Sequence, residues 1–215
     1  MNADKKISRT AKKSQTEIMI AAEKLLLSGN VNLISAKNLS KYSGYSVGNI
    51  YHHFKNLDQV FINLFLKKRL DIFLEIADEI NKFPKNKSCE ELCKNLVNKG
   101  FENTNKLKIK IIQYLFKIML TKSKEPEKIN LIIDVLIEPL IECRKRNKTD
   151  SFREIDEQEM HLILRALQAS IRTPFLENQS IAGSTHHKEL TLSLCLRLLS
   201  KKLPNEYSLF LIRVY

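Results

Sequence analysis

The chain has 215 residues, 43% hydrophobic and 28% charged, ordinary for a soluble globular protein of one domain or of a small domain joined to a larger one. Only five Gly and five Pro occur in that length, which argues against a turn-rich sheet sandwich and for long helices joined by brief turns. The formal net charge of +12 is uneven: residues 1–68 hold eleven Lys/Arg against four Asp/Glu, the footprint of a protein that meets nucleic acid or an anionic membrane.

Residues 1–13 are polar and basic, with Lys5, Lys6, Arg9, Lys12 and Lys13, and are expected to form a flexible basic arm. The first twenty residues have no apolar core beside a small-residue cleavage site, so no secretory signal is read there. No later run approaches the roughly 18 apolar residues of a spanning helix, and a cytoplasmic protein without membrane contact is expected.

From Thr16 the spacing of Ile18, Ala21, Ala22, Leu25 and Leu26 predicts a helix, with Gly29 as its stop. Ser35 is placed to cap a short helix with Ala36, Leu39 and Tyr42 inward. Gly44 follows. Ser46 caps a second short helix carrying Ile50 and Phe54 on one face, which completes a helix-turn-helix pattern. Asn56 can cap a longer helix from Leu57 to about Lys82, with Val60, Phe61, Leu64, Phe65, Ile72, Ile76 and Ile80 at helical spacing, stopped by Pro84. Further helices are predicted over 89–105, 107–122, 127–147, 154–176 and 187–203. Pro126 suits a first helical turn, while Pro139 and Pro174 should kink or shorten theirs. The expected division is therefore a basic arm over 1–13, a helix-turn-helix domain over 14–56, a larger helical domain over 57–203 and an unassigned apolar tail over 204–215.

Histidines and cysteines offer little catalytic or metal chemistry. His52 and His53 are adjacent, so on a helix they point about 100° apart, and no third ligand is near them in sequence. His186 and His187 read as a solvated helix start. Cys89, Cys93, Cys143 and Cys195 lack paired zinc spacing; Cys89 and Cys93 stand one helical turn apart, a spacing open to a redox pair or half a metal site, with buried free thiols the expected state. No nucleophile, base and orienting acid share a recognisable spacing. No catalytic residue, metal or cofactor is expected.

The stretch from Ile18 to about Val60 resembles the DNA-binding domain of TetR-type transcriptional regulators. The resemblance is carried by "IMIAAEKLLLSGN" and "ISAKNLSKYSGYSVGNIYHHFKNLDQV", with Ala21, Ala22, Gly29, Leu39, Ser40, Gly44, Tyr45, Ser46, Gly48 and the run Ile50 to Phe54 as counterparts of the family pattern. It implies an all-α protein: a three-helix DNA-binding domain followed by a larger helical domain that binds a small-molecule effector and forms a homodimer. It further implies a repressor on a palindromic operator in double-stranded DNA, with a recognition helix in the major groove. Within that frame Val47 and His52 are placed for base edges, Gly48 admits close backbone approach, and Tyr51 and His53 are placed for phosphates. Ser35 and Ser46 add hydroxyls at helix starts, and Lys37, Asn49 and Lys55 complete the expected contact set. Two departures stand out. Leu57 takes the place of a usual Lys, and Tyr45 that of a small aliphatic residue.

For the larger domain the resemblance implies dimer contacts through the last two helices, here Ile163, Leu167, Ser170, Ile171, Leu190, Leu194, Cys195 and Leu198. Phe61, Phe65, Phe101, Tyr114, Phe116, Met119 and Phe152 are large apolar groups expected on the middle helices, suited to lining an effector cavity. The alternatives are a basic helical protein that binds anionic membrane or nucleic acid without sequence preference, or a small helical enzyme. The capped turn with Gly48 and Tyr51 has no role in the former, and the latter lacks a convergent polar pocket.

Overall fold

Helix α1 runs Asn2–Leu27, so the stretch expected as a flexible arm is helical from its second residue. No Gly or Pro interrupts it, and Lys, Ala, Glu and Leu, all good helix formers, dominate its composition. The computed structural model describes residues 2–105 and 108–202, with side chains described for 12–104 and 108–202. The side chains of Lys5, Lys6 and Arg9, residue 107 and the tail over 204–215 lie outside that set.

After α1 come a 3-10 turn at Val31–Leu33, α2 (Ala36–Ser43), α3 (Val47–His53), α4 (Leu57–Asn81), α5 (Cys89–Asn105) and α6 (Ile109–Lys122). Then follow α7 (Lys128–Leu131), a 3-10 segment Ile132–Leu136, α8 (Ile137–Arg146), α9 (Glu157–Leu176) and α10 (Thr185–Leu199). The fold is all-α: besides helices, the described residues hold one isolated antiparallel bridge, Phe152 with Ser200. The single helix expected over 127–147 is divided. Pro139 lies in the first turn of α8, where its ring excludes an α-helical bond to the carbonyl of Val135, and the chain upstream tightens to 3-10 geometry. Pro174 does not end α9, which continues to Leu176.

The chain divides into two compact units, Met1–Arg69 with Lys106–Ile129, and Leu70–Asn105 with Asn130–Tyr215. This differs from a division at residue 57, because the first unit takes in the start of α4 and all of α6. Aromatic packing explains it. Phe61 meets Tyr114 edge to face at 6.1 Å, and Phe65 meets Phe116 at 5.2 Å. The core of this unit is the stripe Ile18, Ala21, Ala22, Leu25 and Leu26 of α1 with Leu39, Ile50, Phe54, Val60, Phe61 and Leu64, all buried. Burial of each large side chain contributes roughly 1.5–3 kcal/mol, against ~1 kcal/mol for a cap. Packing therefore decides that these short helices exist; caps decide where they start.

The second unit centres on α5, α8, α9 and α10, with Leu92, Val97, Phe101, Leu140, Met160, Ile163, Leu164 and Leu196 in its core. At Gly100 an added Cβ would come within 2.7 Å of Ile171 Cδ1, so glycine lets α5 and α9 approach closely. Arg146 closes the far end of α4, donating to the carbonyl of Ile80 at 2.6 Å and to that of Phe83, just past the helix, at 2.8 Å. Phe152 stands in the bridge, not on a helix.

Candidate nucleic-acid interface

The site is assembled from two capped helices and the turn between them. Ser35 Oγ accepts from the N–H of Asn38 at 3.2 Å, and Ser46 Oγ accepts from the N–H of Asn49 at 3.2 Å. Each hydroxyl oxygen is thus engaged as an acceptor at the start of its helix. Between them Gly44 ends α2 at φ +75, a left-handed conformation, and nothing lies within 4 Å of where its Cβ would be. Backbone geometry, not space, requires glycine there. Asn56 Oδ1 accepts from the N–H of Gln59 at 2.9 Å and starts α4 as the sequence implies.

Ile50 on α3 and Phe54 just past its end are buried, while Val47, Gly48, Asn49, Tyr51 and His52 are exposed and His53 is partly so. A Cβ at Gly48 would meet only Ser46 Oγ, at 4.0 Å, so that face is open. The rings of His52 and His53 stand 5.4 Å apart at 72°. Lys55 is exposed just beyond the helix, beside a half-buried Leu57.

Tyr45 does not expose its hydroxyl, which donates to the Glu17 carboxylate on α1. Glu23 is likewise held by Lys68 at 2.8 Å. Glu17 also faces Lys13 at 3.9 Å, so both acids meet a cation, while Lys37, Lys41 and Lys55 are exposed on the helix-turn-helix. Tyr42, expected inward, is 50% exposed instead. It lies three residues past the buried Leu39, and α2 is too short for a second turn to cover it. Tyr42 and Lys41 are surface groups outside the contact set expected from the sequence. The signal was available: Lys41 stands one turn after Lys37 on the same face.

The seven aromatic and apolar side chains expected around one cavity do not share a unit. Phe61, Phe65, Tyr114, Phe116 and Met119 belong to the first, Phe101 and Phe152 to the second. The first set packs on itself. The Arg69 guanidinium lies 5.6 Å from the Phe65 ring centroid and 6.0 Å from that of Phe116, and donates to the Ile129 carbonyl at 3.2 Å. Burial, aided by the Asp58 carboxylate, pushes the Tyr114 phenol up to about 12.

Of the residues expected at a dimer face, Ile163 and Cys195 are buried inside their own unit at 4% and 1% exposure, so neither is available to a partner. Both point into the α5–α9–α10 core. Leu167, Ile171 and Leu198 pack against the edge of that core, and Leu190 is 42% exposed, with Leu194 and Ser170 partly so. Leu162, 69% exposed on α9, is an apolar surface group not expected from the sequence. His187 is the opposite case: expected as solvated, it is 2% exposed, with its ring edge to face on Phe101 at 4.7 Å.

No protein-family model and no curated protein matches this sequence. Solved structures do. The chain is similar to a protein from Mesorhizobium loti described as a TetR-family transcriptional regulator, with a TM-score of 0.61 and 14% identity over 88% of this chain and 98% of that one. It is similar to RolR in complex with resorcinol, with a TM-score of 0.64 and 10% identity over 91% of each chain. FadR from Bacillus subtilis in complex with stearoyl-CoA gives a TM-score of 0.58 and 17% identity over 87% of this chain and 99% of that one. At such identities the likeness is one of fold. The chain has the fold of TetR-family regulators.

Proposed function

We propose that this chain, built on the TetR-type fold, is a sequence-specific DNA-binding transcriptional regulator: a cytoplasmic homodimer that represses at a palindromic operator and is released by a small-molecule effector. The observation that carries the reading is the α3 surface, where Val47, Gly48, Tyr51 and His52 face outward from a doubly capped helix-turn-helix in the more basic third of the chain.

In this mechanism α3 enters the major groove. Val47 packs on a thymine methyl and His52 bonds a purine edge, while the open side at Gly48 lets backbone come close. Tyr51, His53, Lys37, Lys55 and the hydroxyls of Ser35 and Ser46 hold phosphates and set the register. Two half-sites one helical turn apart require two copies related by a two-fold axis. Leu162 and Leu190, exposed on α9 and α10, are the apolar groups best suited to join them.

Release follows from linkage. An effector must bind the arrangement of recognition helices that misses the operator more tightly than the one that fits it. A coupling of about 1–3 kcal/mol is enough for a switch. RolR with resorcinol and FadR with stearoyl-CoA support an organic effector with an apolar part, aromatic ring or acyl chain. α4, which contributes residues to both units, is the covalent path between effector and DNA.

The test is selection of bound duplexes from a random pool at near-physiological salt, followed by sequencing. Recovery of a palindrome supports the reading. If a folded dimer recovers no motif and binds random duplex and anionic vesicles alike, with strong salt dependence, it is a non-specific basic protein instead.

A further inference from the structure

All four cysteines of the chain are free and buried, and all four belong to the core of the second unit: Cys89 and Cys93 on α5, Cys143 on α8, Cys195 on α10. Cys89 and Cys93 are each 0% exposed, and their sulfurs stand 3.9 Å apart. The Cys195 thiol is near enough to Cys93 to act with Cys89 in raising its pKa. The operator-binding mechanism leaves this cluster without a role.

Three kinds of chemistry suit close thiols, and the geometry separates them. A disulfide needs Cβ atoms roughly 3.5–4.5 Å apart, whereas a helix holds positions i and i+4 about 5–6 Å apart. Oxidation of Cys89 with Cys93 would therefore unwind the first turns of α5. A structural zinc centre needs four ligands, and no group of three or more His, Cys, Asp or Glu among the described residues is arranged to hold a metal ion. A monovalent soft cation on two thiolates would leave net charge in an apolar core, at a high desolvation cost. A divalent one, though neutral there, prefers its two sulfurs on opposite sides of the metal, whereas these two stand 3.9 Å apart on one face of α5. One atom that bridges the two sulfurs and forms a neutral product meets every constraint.

We propose that Cys89 and Cys93 form a dithiol site for trivalent arsenic. With methylarsonous acid, two As–S bonds form and two As–O bonds break. Each thiol hydrogen leaves with a hydroxyl group as water, so two waters are released and arsenic stays trivalent. No oxidant is needed and no charge is created. The neighbouring thiols of Cys195 and Cys89, together with burial, push the Cys93 thiol well above its ordinary range, which disfavours any route through a buried thiolate and leaves the neutral exchange. This site stands independently of the operator reading.

The experiment incubates the folded full-length chain with methylarsonous acid and reads intact mass, thiol count and arsenic X-ray absorption. The expected product carries one methylarsenic unit with two As–S bonds and leaves two of the four thiols titratable after unfolding. It resists excess glutathione and is removed by the dithiol 2,3-dimercaptopropanol, and peptide mapping places it on the segment holding Cys89 and Cys93. C89A and C93A should lose the dithiol-reversible adduct, while C143A keeps it. The mapping uses the native chain and decides the matter even where C93A fails to fold. An adduct on other cysteines, reversal by glutathione, or no adduct on the folded chain overturns the proposal.

Discussion

His187 donates its Nε2–H to the carbonyl oxygen of Ser170 at 2.8 Å, and that oxygen is the one Pro174 deprives of its helical partner. Its Nδ1 accepts from the N–H of Gly183 at 3.2 Å, which assigns the neutral tautomer with the proton on Nε2. A proline inside α9 and a buried histidine on α10 thus solve one another's problem. H187F puts a somewhat larger apolar ring between Phe101 and Phe175 and takes their side-chain partner from the part-buried Ser170 oxygen and Gly183 N–H. It is expected to cost about 2 kcal/mol in urea unfolding. P174A supplies an N–H to Ser170, so the two changes together should cost less than their sum, which a double-mutant cycle measures.

The Tyr45 hydroxyl bonds Glu17, tying the turn of the helix-turn-helix to α1 across 28 residues. Because the hydroxyl is committed there, Y45F should lower stability by about 1 kcal/mol and leave base preference unchanged. Thermal unfolding and a selection on randomised half-sites check the two parts separately. An altered operator with unchanged stability would place Tyr45 on DNA instead.

Two glycines of the same motif should respond in opposite directions. Gly44 is held at φ +75 with open space around it, so G44A strains the backbone by roughly 1–2 kcal/mol. Gly48 is helical and its surroundings are open, so G48A should gain up to about 1 kcal/mol of stability. It should nonetheless weaken DNA binding, because the methyl occupies the space the backbone of the groove requires. Equal affinity for operator with the stability gained would remove Gly48 from the interface.

Contacts with phosphate and contacts with bases separate by salt and by sequence. K55A removes one phosphate partner and should flatten the slope of log affinity against log salt by about 0.9. Y51F should weaken binding to specific and random duplex alike, whereas V47A should change base preference at one half-site position. Titrations across a salt series, on operator and on scrambled duplex, distinguish these outcomes.

The exposed Leu162 and Leu190 predict the response of assembly. L162K with L190K places two charges on groups that are 69% and 42% exposed, so the folded monomer should tolerate them. Sedimentation should then show a monomer with unchanged helix content. A dimer that survives both changes would assign the two-fold contact to another surface.

The order of difficulty across this protein follows the range over which each feature is decided. Serine caps at 35 and 46, the glycine turn at Gly44, the Asn56 cap, the buried pair Ile50 and Phe54 and the extent of α5 were all legible in the sequence, because each depends on neighbours three or four residues away. A hydroxyl four atoms from a helix start has only one backbone to bond. The remaining features required partners distant in the chain. Phe61 and Phe65 meet Tyr114 and Phe116 some fifty residues on, which draws α6 into the first unit. His187 is buried because α9 presents an unpaired carbonyl to it, and nothing near His187 in sequence announces that. Ile163 and Cys195 turn inward while Leu162 turns out, a difference of about 100° on a helix whose apolar residues crowd both sides. Four cysteines spread over more than a hundred residues converge in one core for the same reason. Local hydrogen bonds decide where a helix begins; which of its faces is inside is decided by the helices that come to cover it.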